Sequence, residues 1–170
     1  MPPEEIELEL GVIELPAFTA HVVRRGGCGA EDLGPTLSAA LETVFALGLE
    51  FTGPPMIAYI EIPDGGVGTG EVTIDAIIPV EATAAAAAGL PVQEIAALGL
   101  TASVRFRGPH ELIPRAYQEL FQFVEEQRYA PTGLPRELYW EHHEDQNHLT
   151  ELCLPVTDLL PEGQRQYEPV

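Results

Sequence analysis

The feature that most constrains the fold is an internal repetition. Leu37/Tyr117, Ala40/Leu120, Leu41/Phe121, Val44/Val124, Gly53/Gly133, Pro55/Pro135, Tyr59/Tyr139 and Glu61/Glu141 are all 80 residues apart. Thr19-Ala20 and Thr101-Ala102 match at an offset of 82, as do Val22/Val104, Arg25/Arg107 and Gly26/Gly108. Asp75/Glu151, Pro79/Pro155 and Val80/Val156 match at 76. The offset changes where loops are expected, and loops tolerate insertions. Two copies are too few for a solenoid. They suit a single α+β domain of pseudo-twofold character built from duplicated ββαββ units. Each helix can cover its sheet, and a cleft can form where the halves meet.

Local patterns fill in the units. Ile6 to Leu15 and Phe18 to Arg24 read as strands broken at Pro16. Leu37, Ala40, Leu41 and Val44 make one apolar helical stripe, which Gly48 can end. Met56 to Ile62 and Glu71 to Val80 complete the first repeat, residues 6–81. The alanine-rich residues 82–90 read as a linker with at most one helical turn, because Gly89 and Pro91 stop the run. The second repeat, residues 91–160, has strands at Gln93 to Leu98, Leu100 to Arg107, Glu137 to Glu141 and Thr150 to Leu154. Its helix carries Tyr117, Leu120, Phe121 and Val124, and residues 161–170 form a tail.

Charge excludes several partners. The 170 residues hold 27 acidic side chains against 8 arginines and no lysine, for a net charge of −19. Nothing supplies a cationic surface for nucleic-acid phosphates or for an anionic membrane. Cationic partners are favoured instead, since the summed field concentrates them. No apolar run reaches the roughly 20 residues of a membrane span. The acidic start MPPEEIELEL is no secretory signal, so a cytoplasmic location is expected. Cys28 and Cys153 are too few for a disulfide framework or a cysteine zinc site.

The order of short motifs brings a family into view. Glu14-Leu15-Pro16-Ala17, Arg25-Gly26, Leu33, Gly53-Pro54-Pro55 and Tyr59 mark the first half. Arg107-Gly108-Pro109, Gly133 with Pro135, Tyr139 and Thr150 to Val156 mark the second. From Ile13 to Leu160 this resembles the GyrI-like (gyrase-inhibitor-like) small-molecule-binding domain, the effector-binding module of AraC-type and MerR-type multidrug regulators. The resemblance implies a duplicated ββαββ fold with an antiparallel sheet, two helices and a central groove for lipophilic, often cationic, aromatic compounds. It also implies a glutamate on the last strand of the second half inside an aromatic pocket, here Glu151. Some free-standing members resemble hydrolases that open the cyclopropane ring of DNA-alkylating antibiotics. The duplicated unit leaves no room for a helix-turn-helix, so direct transcription regulation by this polypeptide is not expected.

Glu151 lies in a strand that should be largely buried, where a carboxylate is costly unless paired. It reads either as a counter-charge or acid/base group, or as a solvated edge residue; the resemblance favours the first. Asp75 holds the equivalent place in the first half. Tyr59, Tyr139 and Trp140 offer flat rings for stacking and cation–π contact. Tyr139 and Trp140 are adjacent in a strand and must point to opposite faces. Phe106, Phe121 and Tyr117 could line the groove, though core packing suits each at least as well.

The segment Glu141-His142-His143-Glu144-Asp145-Gln146-Asn147-His148 has zinc-binding residue types, but its spacing matches no common zinc motif. A solvated loop is expected, with no metal and no cofactor. Gly65 to Gly70 has no lysine and no apolar helix after it, so it is not a phosphate loop. Cys28 reads as a passive thiol. The leading expectation is a stand-alone binder of hydrophobic, cationic aromatic compounds. The alternatives are a hydrolase with Glu151 as general acid/base and a gyrase-inhibitor type of protein-interaction module. Ligand identity and oligomeric state are not set by the sequence.

Overall fold

Alternation of apolar side chains with a period of two makes the strands, and a period near 3.6 makes the helices. The computed structural model describes residues 6–63 and 72–160. In chain order the elements are β1 (Leu8–Leu15), β2 (Phe18–Cys28), α1 (Ala30–Ala46), β3 (Met56–Glu61), β4 (Val72–Pro79), α2 (Ala82–Ala87), β5 (Gln93–Ile95), β6 (Leu98–Gly108), α3 (Ile113–Glu126), β7 (Tyr129–Pro131), β8 (Arg136–Glu141) and β9 (His148–Asp158). A short 3-10 turn, His110–Leu112, leads into α3. Every strand pairing is antiparallel, so the architecture is the α+β class expected. The Gly65 to Gly70 segment lies outside the described residues.

The chain forms two compact units. In one, Pro16–Ala97 with Arg136–Leu138, β2 lies between β4 and β5, and β4 pairs in turn with β3, which takes the start of β8. Helix α1 packs Ala40 and Val44 against Ala76 and Ile78 of β4. In the other, built from the chain up to Leu15, Leu98–Pro135 and the chain from Tyr139, β6 pairs with β1 on one side and β9 on the other. Helix α3 packs Ala116, Leu120 and Val124 onto Val104, Phe106, Leu152 and Leu154. The buried helix positions Thr36, Ala40 and Val44 of α1 correspond to Ala116, Leu120 and Val124 of α3, so the offset of 80 falls on the faces that make each core.

The structure changes three details of the sequence reading. The first strand of each repeat joins strands of the other, β1 against β6 and β5 against β2. The alanine run is a helix of six residues, somewhat longer than the single helical turn expected. The Glu81 carboxylate caps it, accepting from the backbone N–H groups of Thr83 and Ala84, which satisfies donors that the helix start leaves free. Finally, the offset of 82 for the second strand is one residue too long. Ala20 pairs with Pro79 and Thr101 with Pro155, so Ala20 corresponds to Thr101 at an offset of 81. The repeated Thr-Ala pair had disguised this, and a one-residue slip exchanges the two faces of a strand.

Strand exchange makes each repeat incomplete on its own. A fragment ending at Glu81 keeps β1 without its partner β6, and β2 without β5. It is expected to be unfolded or aggregated, as monitored by circular dichroism and thermal melting; a soluble fragment with a cooperative melt would contradict the exchange.

Candidate functional site

Strand β9 separates apolar and polar side chains by parity. Leu152, Leu154 and Val156 point into the α3 core, so alternation places Glu151 and Cys153 on the helix-free face. On β6 the partners of Glu151 and Cys153 are Arg105 and Ser103. These neighbours converge on one carboxylate. Glu151 is buried, 4% exposed. Its Oε2 accepts from the Ser103 hydroxyl. Its Oε1 accepts from Arg105 Nη2 at 3.2 Å and from the Trp140 indole N–H at 2.9 Å. The Arg105 guanidinium also lies over the Trp140 ring, 5.0 Å from its centroid. Burial of the charge is thus offset by three hydrogen bonds and one opposite charge. The Trp140 ring stays 42% exposed, an aromatic surface next to a buried carboxylate.

Asp75 occupies the corresponding place on β4, opposite Arg24 on β2. Arg24 grips it with two bonds, Nε to Oδ1 at 2.8 Å and Nη2 to Oδ2 at 3.0 Å. Beside Asp75 the repeat puts Ile60 where the second half has Trp140. The two acids are therefore equivalent in register and unequal in surroundings: one is clamped by a bidentate arginine, and the other faces an aromatic ring.

The remaining sequence-predicted residues are not among the three donors to Glu151. Phe106 is on the opposite face of β6, 2% exposed in the α3 core, because it is one residue from Arg105 in a strand. Phe121 is on α3, 47% exposed and stacked on Tyr117 with centroids 6.1 Å apart. It borders a groove of about 930 Å³ that also includes Glu125, Arg128 and Leu159, and none of the Glu151 neighbours. Tyr139 turns away from Trp140, as adjacency in a strand requires, and lies with its ring 5.7 Å from that of His110. Tyr59 is buried in the other unit, where its hydroxyl donates to Glu137 Oε2 at 3.1 Å. Burial, then the Glu137 charge, push its phenol far above the usual tyrosine range, so it stays protonated. Cys28 is buried and free, and burial pushes its thiol up, which fits a passive role.

Sequence reasoning missed Ser103, Arg105, Glu137 and His110. The first two reach Glu151 through the register of β6 against β9, which the sequence pattern does not give. His110 stacks on His148 of the acidic loop, with ring centroids 4.3 Å apart. Gly108 makes this turn possible. Its φ is +140°, and a Cβ there would meet Leu112 Cδ1 at 2.7 Å. Burial, followed by neighbouring histidines, holds both His110 and His148 below the ordinary histidine range.

Antiparallel sheets backed by one long helix per repeat make this a duplicated α+β domain. The profile of the GyrI-like small molecule binding domain matches residues 12–157, and the chain belongs to that family. Among solved structures it is similar to the EcmrR C-terminal domain, with 22% identity and a TM-score of 0.69 over 89% of this chain and 99% of that one. It is similar to EcmrR in its complex with DNA at 20% identity and TM-score 0.72, over 89% of this chain. The match spans 58% of that longer EcmrR chain. A hydrolase from Listeria innocua is similar at 13% identity and TM-score 0.60, over 88% of this chain and 92% of that one. SAV2435, solved bound to tetraphenylphosphonium, is similar at 13% identity and TM-score 0.52, over 91% and 95%. At these identities the likeness is one of fold. Among curated protein sequences none matches. Among the described residues no helix is long and apolar enough to cross a membrane.

The Tyr59–Glu137 bond supports a buried carboxylate, which is 3% exposed. Tyr59→Phe keeps the ring and removes the donor, and is expected to lower stability by about 1–3 kcal/mol. Chemical denaturation checks this; a change within error would mean the bond contributes nothing.

Proposed function

We propose that this chain binds lipophilic aromatic cations, and that Arg105 holds the ligand's place on Trp140 until one arrives. The observation that carries the reading is a guanidinium stacked over an exposed indole while it neutralises a buried glutamate. A flat cationic ligand needs these two things, an aromatic face and an opposite charge. Arg105 is suited to yielding. Its side chain is 40% exposed, and its bond to Glu151, at 3.2 Å, is longer than the 2.9 Å indole bond. When it swings into water, Ser103 and Trp140 still hold the carboxylate in place. The ligand then stacks on the indole and takes over the charge partnership. The net charge of −19 raises the local concentration of such cations. Family membership and the tetraphenylphosphonium taken by SAV2435 support the same ligand class.

The hydrolase alternative has no comparable support. Glu151 is engaged by three donors, and the hydrolase from Listeria innocua shares the fold at 13% identity.

A panel of matched cationic, neutral and anionic aromatic dyes, read by fluorescence on wild type, Glu151→Gln and Arg105→Ala, tests the proposal. Wild type is expected to prefer the cationic dye. Glu151→Gln should weaken that dye by on the order of 2–5 kcal/mol, roughly thirtyfold or more, with little effect on the neutral dye. Arg105→Ala should tighten the cationic dye, because a competing cation is gone. Unchanged dye affinities in Glu151→Gln, or weaker cation binding in Arg105→Ala, would overturn it. Turnover lost in Glu151→Gln with binding intact would establish the hydrolase instead.

A further inference from the structure

The α3 side of β9 gathers three imidazoles that the ligand reading leaves unused. His148 begins β9 and pairs in register with Gly108, the last residue of β6. Two residues beyond Gly108, the 3-10 turn brings His110 onto the His148 ring. His142, just past the end of β8, also stacks on His148, with centroids 4.3 Å apart and planes 13° apart, and its ring lies 6.1 Å from that of His110. One nitrogen from each ring lies within 4.8 Å of the others. These side chains come from two segments separated by more than a helix, so chain neighbourhood alone does not explain the grouping.

We propose that His110, His142 and His148 form a binding site for a divalent transition-metal ion of the zinc or nickel type. Imidazole nitrogen suits these ions, whereas magnesium and calcium prefer oxygen. Among the described residues, no hydrogen bond occupies the rings of His110 or His142, so both have nitrogens to offer. His148 is buried and oriented. Its Nδ1 accepts the His143 backbone N–H at 3.0 Å, and its Nε2 faces Gln146 Oε1 at 3.4 Å. An ion on Nδ1 replaces the His143 N–H, and an ion on Nε2 moves the proton to Nδ1 and replaces both contacts. Metal–nitrogen bonds of about 2.0–2.1 Å in a tetrahedron set ligand nitrogens about 3.3 Å apart. The spread of 4.8 Å therefore has to close, and His110 and His142 are exposed, so their rings can turn inward. Three histidines leave the fourth position of a tetrahedral ion to water. The acidic field of the chain favours the dication over competing anions.

Calorimetric titration of the full chain without an affinity tag, using Zn²⁺ and Ni²⁺ separately, tests the proposal. One equivalent is expected to bind, and Mg²⁺ is expected not to. His110→Ala and His142→Ala remove exposed rings and should each weaken binding at least tenfold in protein with an unchanged melting profile. His21→Ala, on β2, should not. Glu151→Gln lies on the other face of β9 and should leave the metal isotherm unchanged. Absence of a saturable equivalent would overturn the site. So would full-affinity binding in His110→Ala, which would place the ion in the β8–β9 loop alone.

Discussion

Everything at the candidate site depends on the register of β6 against β9. Pairing Arg105 with Glu151 puts both on the face that α3 does not cover, and puts Val104, Phe106 and Leu152 beneath the helix. A slip by one residue would drive an arginine and a glutamate into an apolar core and expose its largest side chains. The apolar contacts of α3 thus fix where the charges sit. The hydrogen bonds from Ser103, Arg105 and Trp140 then make the buried charge tolerable.

The duplication sets the two acids in equivalent places with different surroundings. Both repeats place an acid opposite an arginine at the same point in the ladder. In the first repeat, the short, bidentate Arg24–Asp75 clamp is an adequate end in itself, beside an isoleucine. In the second, glutamate is longer by one methylene and reaches the indole of Trp140 as well as its arginine. Divergence at Ile60/Trp140 and Asp75/Glu151 turns a structural ion pair into a surface with an aromatic face. The same alternation sends Tyr139 to the opposite side, toward His110, so adjacent residues of β8 serve different places.

Much of this was legible in the sequence, because the helices and the inner strands carry dense, regular apolar patterns. The stripe at Ala40 and Val44 and its copy at Leu120 and Val124 locate both cores. Glu151 was legible as a charge inside an apolar run, and the Tyr139/Trp140 division followed from alternation. Three things were not legible. The exchange of β1 and β5 between repeats is a choice of partner, and pattern gives no partner. The convergence of Ser103, Arg105 and Trp140 on Glu151 depends on the pairing of β6 with β9, which pattern alone does not give. His110 meets His148 only because Gly108 bends the chain at a positive φ, and His110, in a 3-10 turn, has no apolar pattern to mark its direction.

An aromatic cation that displaces Arg105 and stacks on Trp140 must change the surroundings of the indole. The chain has a single tryptophan, so its indole N–H gives one unambiguous signal in a ¹⁵N–¹H spectrum. Titration with tetraphenylphosphonium is expected to shift that signal strongly and saturably, together with the guanidinium Nε signal of Arg105. Saturable shifts elsewhere, with the indole signal unmoved, would show that the cation does not stack on Trp140.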